Sequence, residues 1–150
     1  MVDNENVARL MKKIWICDGV ISSAAFNLRP QIRETYISVL RECVDTFAID
    51  IKKICKEFPV IYASMGTDDI CSLRIDTLED DIKFSVKVVD NMNIKSHAGI
   101  FITINGQQLV GGEPFESLEI KRGMSADCVL LEIRKAIAKL ASGNIRRFEE

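Results

Sequence analysis

The sequence predicts one α+β domain over residues 1–150, built as a mainly antiparallel sheet with two amphipathic helices packed on one face. Three observations predict it. Apolar and polar residues alternate with period two over 70–77 and 82–88, the signature of half-buried strands. Two stretches, 44–58 and 125–141, carry apolar residues at helical spacing instead. Asp18-Gly19 and Asn105-Gly106 are two-residue hairpin signals, and strands joined by such short turns can only run antiparallel.

From the N-terminus, Val7, Leu10, Met11 and Ile14 follow helical spacing over about two turns, with Asn4 or Asn6 as cap. Ile14–Cys17 and Val20–Ser22 read as a hairpin about Asp18-Gly19, whose positive φ angles suit a type I′ turn. Pro30 excludes the helical region for Arg29, and a strand follows over Thr35–Arg41. The first of the two amphipathic helices runs Val44–Phe58, with Phe47, Ile51, Cys55 and Phe58 on one face, Lys52, Lys53 and Lys56 on the other, and Pro59 ending it.

Strands are expected over Ile70–Thr77 and Ile82–Val88, joined by the acidic turn Leu78–Asp81. Gly99–Ile104 and Gln107–Val110 form a second hairpin, and Gly111–Pro114 breaks the chain. Ser125 caps a last helix with Leu130, Ile133, Ile137, Leu140 and Ala141 as its core stripe, and Gly143 stands where a left-handed stop is wanted. The tail Asn144–Glu150 is charged and expected to fray. Phe47, Ile51, Leu73, Ile75, Phe84, Val86, Ile133 and Ile137 are the expected core.

With 47 % hydrophobic and 28 % charged residues the composition is globular, and 150 residues bury enough surface to fold without a metal or disulfide staple. A net charge of -2 argues against a nucleic-acid partner. Five cysteines, Cys17, Cys43, Cys55, Cys71 and Cys128, are an odd number with no C-x-x-C pair, which fits free thiols in small core or half-core positions. The acidic opening Met1–Asn6 lacks the pattern of a secretory signal, and no apolar run approaches the roughly 20 residues needed to span a bilayer. A cytoplasmic protein with no membrane partner follows.

The densest polar chemistry lies in Asp18–Pro30. Arg29 offers a planar fork of donors for a phosphate or carboxylate, and Ser22 and Ser23 add two hydroxyls; pairing of Arg29 with Glu34 or Asp18 is the plainer alternative. His97 is the sole histidine and sits beside Gly99 at the mouth of a strand, which makes it the one general acid or base candidate. No second histidine exists to share a metal, Gly111-Gly112 is followed by Glu113-Pro114 rather than the Lys-Ser/Thr of a phosphate loop, and no nucleophile elbow occurs. Metal and cofactor are therefore expected to be none. Arg74, Lys83, Lys87, Lys95, Lys121 and Arg122 with Phe101 make at most a small basic sheet face, without the aromatic strand signature of an RNA-binding sheet.

The segment Asp18–Pro30 with Ile37-Ser38-Val39 resembles the opening of a loose group of short bacterial proteins with no assigned activity, in which an SSxAF-x-LR segment precedes a Ser-Val strand. The group's late His-Ala pair is matched by His97-Ala98. The resemblance covers about a third of the chain and implies that Ser22, Ser23, Phe26, Arg29 and His97 share a site, without naming a reaction.

Two function classes fit. One is a binding or regulatory protein that recognises a protein or a small anionic ligand through the Ser22–Arg29 loop and the sheet face. The other is an enzyme acting on a phosphate- or nucleotide-containing substrate, with Arg29 and the serines holding the anion and His97 moving the proton. Closeness of Arg29 and His97 discriminates between them.

Overall fold

The computed structural model describes residues 5–29, 31, 34–75, 82–90, 96–111 and 126–149. Twelve regular elements follow in chain order: β1 (Asn6–Leu10), β2 (Ile16–Cys17), β3 (Val20–Ile21), β4 (Ile37–Arg41), α1 (Phe47–Ile54), β5 (Val60–Gly66), α2 (Thr67–Cys71), β6 (Phe84–Asp90), β7 (His97–Ile104), β8 (Gln107–Gln108), α3 (Ala126–Ser142) and β9 (Ile145–Phe148). The main sheet runs β6-β7-β4-β1-β5-β9, with β8 also on β7, and every pairing described is antiparallel. The α+β class is therefore as expected.

Both hairpin turns form as the sequence implies. Asp18 and Gly19 adopt φ of 50° and 76°, Asn105 and Gly106 49° and 82°, the paired positive values that match the right-handed twist of the flanking strands. Residues 82–88 also behave as expected, with Val86 and Val88 buried beneath exposed Lys83 and Lys87. Phe101 lies on the outward side of β7 and is joined there by Tyr36, ring centroids 5.3 Å apart. Lys95, Lys121, Arg122, Pro30, Ser125, the turn Leu78–Asp81 and Gly112–Pro114 lie outside the described residues.

The two long helices divide between the faces of the sheet instead of sharing one. On the inner face Val7, Ile37, Val39, Ala63, Met65, Val88, Ile100 and Ile102 pack with Val129, Ile133, Ile137 and Ala141 of α3, together with Phe26 and Ile70. On the outer face Ile51 of α1 packs against Leu40 and Val60, with Phe47, Phe58 and Phe148 around them. Val39 and Leu40 are neighbours in one strand, so their side chains point to opposite faces. Each fully buried Ile or Phe contributes about 1.5–3 kcal/mol, which makes the inner cluster the main source of stability.

Strands β1 and β5 were not read from sequence for one physical reason, burial on both faces. Residues 7–14 are not a helix: Val7 and Ala8 are both wholly buried in central strand β1, so the alternation that marks a half-exposed strand is missing. Strand β5 escaped for the same reason, with Tyr62, Ala63, Ser64 and Met65 buried in succession. Ile70 and Cys71 belong to the short helix α2, and the described residues after it form no strand through Ile75. The tail is not frayed, because Ile145 packs on the inner cluster, Phe148 on the outer one, and β9 pairs with β5.

Helix α1 is shorter than its apolar stripe, ending at Ile54 with Cys55 already extended. Gly143 is not left-handed; α3 closes by tightened bonds from Gly143 N to Leu140 O and Asn144 N to Ala141 O, each 3.2 Å. Of the expected core, Ile51, Val86, Ile133 and Ile137 are buried, while Phe47, Leu73, Ile75 and Phe84 sit half-buried at the cluster margins. The cysteines are not core residues: four of the five are exposed, Cys55 is half-buried, and all five are free thiols. Among the described residues no helix is long and apolar enough to cross a membrane.

Candidate functional site

Strand β1 keeps its ladder with β5 down to Leu10–Tyr62, and β4 keeps its ladder with β7 down to Ile37–Ile100. Between β1 and β4 the pairing stops after Val7–Arg41 and Ala8–Leu40. The two strands diverge below that point, which frees the Ser38 carbonyl from a strand partner on the β1 side. Arg9 takes up the opening: its Nη1 donates to Ser38 O at 2.8 Å and its Nε to Ala25 O at 3.1 Å.

The Ala25 carbonyl is brought there by the 3-10 turn Ser23–Phe26, anchored by buried Ala25 and Phe26. Ser22 caps that turn, its Oγ accepting from Ala24 N at 3.2 Å, and its own N–H donates to Trp15 O at 2.7 Å. On the far side, Ser142 Oγ accepts from Ile21 N at 2.9 Å and donates to Ala138 O at 2.7 Å, tying the β2–β3 hairpin to α3. Trp15 is thereby held in place, with the Arg9 guanidinium 5.5 Å and the Lys12 ammonium 5.2 Å from its ring centre.

A cleft of about 440 Å³ opens here, lined by Arg9, Leu10, Met11, Lys12, Trp15, Ala24, Asn27, Arg29, Glu34, Ile54 and Cys55. Its charged lining is three cations and one carboxylate. Burial, the largest effect, pushes the Arg9 guanidinium down; nearby Arg29 adds to this and Glu34 opposes it. Arginine stays charged regardless, so Arg9 is a cation stripped of part of its hydration. Burial likewise pushes the Cys55 thiol up, which keeps it protonated at neutral pH and makes it a poor nucleophile.

Arg29 pairs with Glu34. Its Nε and Nη2 donate to Oε2 at 3.1 and 2.9 Å, its backbone N–H to Oε1 at 3.1 Å, and Glu34 N returns a bond to Arg29 O at 3.1 Å. The Arg29 side chain is still 67 % exposed, whereas that of Glu34 is 9 % exposed. Gly111 N donates to Glu34 O at 2.8 Å, a further backbone tie at Glu34.

His97 begins β7 opposite Leu40 and is half-buried. It lines a second pocket of about 300 Å³ on the outer face, with Ala8, Leu10, Ser38, Leu40 and Ile54. Arg29 and His97 thus line different cavities, and these two cavities share Arg9, Leu10 and Ile54. Ser22 and Ser23 line neither.

The residues missed from sequence are Arg9, Lys12 and Trp15. Reading 7–14 as a helix assigned Arg9 no role; the sole tryptophan, close after Lys12-Lys13, was the available signal. A further polar pocket, lined by Glu5, Asn6, Thr67, Asp68 and Asp69, lies at the other end of β1. Glu5 there is already engaged, by Arg41 at 3.0 Å and by the Cys43 thiol. Among the described residues no group of three His, Cys, Asp or Glu side chains is placed to hold a metal ion. Compared with protein-family models, with curated proteins and with solved structures, the chain matches none.

Proposed function

We propose that this chain is a non-catalytic binding module that takes an anionic group in the cleft between β1 and the 22–29 loop. One observation carries the reading: Arg9, Lys12 and Arg29 converge with a single carboxylate, Glu34, on one cleft walled by Trp15. Arg9 supplies the deepest positive charge. Two of its nitrogens are spent on carbonyls, and Nη2 makes no hydrogen bond among the described residues. Lys12 makes no ion pair among the described residues and adds a second charge over the Trp15 ring. Arg29 acts at the rim, its fork being largely committed to Glu34. Ser22 serves the backbone rather than the ligand.

The alternative, an enzyme working on a phosphate- or nucleotide-containing substrate with Arg29 and His97, needs both groups at one reacting atom. Their separate cavities favour the binding reading. Trp15 is the only tryptophan, so its emission reports the cleft directly. Acetate, phosphate and citrate, titrated at low ionic strength, should shift that emission and raise the melting temperature, and Lys12→Ala should weaken the response. Added salt should weaken it too, since the cleft is open to solvent. No change in emission or melting with any anion of the panel would overturn the proposal.

A further inference from the structure

We infer that the anion is the head of an amphipathic molecule, a medium-chain carboxylate whose alkyl tail lies in the outer-face pocket. The inference rests on the anion-binding reading of the Arg9 cleft and adds what the rest of the ligand must be. The 300 Å³ pocket next to that cleft is walled chiefly by Ala8, Leu10, Leu40 and Ile54, and its size is at the lower end for small-molecule sites. The cavities adjoin through Arg9, Leu10 and Ile54, so a molecule entering one meets the other. Positive charge is concentrated at one end and apolar surface at the other.

Ile54 is the telling residue. It is the last residue of α1 and stays 49 % exposed, although it faces both cavities. A large aliphatic side chain left in water at the junction of a cationic cleft and an apolar pocket gains its burial from a ligand tail. A carboxylate fits the head position because the unused Arg9 donors and the Lys12 ammonium together match two acceptor oxygens.

The test is a chain-length series, from acetate through butanoate and hexanoate to octanoate, read by Trp15 emission, with octanol as the uncharged control. Affinity should rise about fourfold per methylene, as expected for carbons leaving water, until the pocket is filled. Octanol should bind far more weakly than octanoate. Ile54→Gln, at a position 49 % exposed, should flatten the chain-length slope, lowering octanoate affinity by a larger factor than acetate affinity. Lys12→Ala should lower affinity for every member of the series by a similar factor. Equal binding of acetate and octanoate would overturn the tail assignment while the anion site stands. Octanol matching octanoate would overturn the assignment of the head, and silence across the series would remove the anion site itself.

Discussion

Replacing Arg9 by methionine keeps a long apolar stem and removes the guanidinium, so it isolates what that group does where β1 and β4 part. Two charge-assisted bonds are lost, to Ala25 O at 3.1 Å and Ser38 O at 2.8 Å. A hydrogen bond involving a charged group contributes about 1.5–3 kcal/mol net, but the Ser38 contact is open to water, which can replace the donor there, so only the partly buried Ala25 bond counts in full. The cation over the Trp15 ring adds about 0.5–1 kcal/mol. Against this, burying the charge is unfavourable, as the lowered pKa of Arg9 shows, and methionine relieves that cost. A net loss of about 2 kcal/mol follows, which in a chain of this size lowers the melting temperature by about 4–8 °C. Arg9→Lys, with its charge retained and its fork lost, should fall between. Thermal melts followed by far-UV circular dichroism measure both. If Arg9→Met melts within about 1 °C of the wild type, well below the shift expected for lost charged hydrogen bonds, Arg9 does not close the opened ladder.

Gly111→Ala should destabilise by about 1–3 kcal/mol and weaken the anion response, because its new Cβ would lie 2.6 Å from the Arg29 carbonyl oxygen and backbone there must move; urea melts and the Trp15 titration check the two effects separately. Gly99→Ala should also destabilise, its Cβ falling 2.7 Å from Tyr36 Cδ2 and 3.1 Å from Phe101 Cε2, and combining it with Tyr36→Ala should recover part of the loss in a double-mutant cycle. Cys43 should react slowly with a disulfide reagent for an exposed thiol, since the hydrogen bond to Glu5, then burial, raise its pKa above the ordinary 9.0; Glu5→Gln should speed it. A raised folded pKa means that the stabilisation from Cys43 is full below the unfolded value and is lost as pH climbs through the folded one, so stability should decline on the alkaline side of about pH 9. In denaturant all five thiols should react.

What was legible in the chain is what has one wet face. The segment 82–88 alternates because Lys83, Ser85 and Lys87 stay in water while Val86 and Val88 do not, and α3 shows its stripe because Lys135 and Lys139 face solvent opposite Ile133 and Ile137. The two type I′ turns were legible for a local reason, the positive φ that Asp-Gly and Asn-Gly tolerate. Strands β1 and β5 lie inside a sheet covered on both sides, where successive buried residues carry no period. Tail residues Ile145 and Phe148 acquire their meaning only from clusters assembled by residues far away in the chain.

The same division explains the site. Arg29 and Glu34 are five positions apart, and their pairing was among the readings open from sequence. Arg9 could not be reached in that way: its partners are 16 and 29 residues distant, and its role exists only because two neighbouring strands stop pairing. The diverging strands leave the Ser38 carbonyl without a strand partner, and Arg9 reaches it and the part-buried Ala25 carbonyl with donors to spare. The spare donors face a cleft with Lys12 and Trp15 on its wall, so the device that closes the sheet also makes the site. Stability and anion binding should therefore be coupled at Arg9 and separable at Lys12, where the side chain is exposed and holds no strand. An Arg9→Lys variant that lost stability yet bound acetate like the wild type would break that coupling and transfer the anchoring role to Lys12 and Arg29.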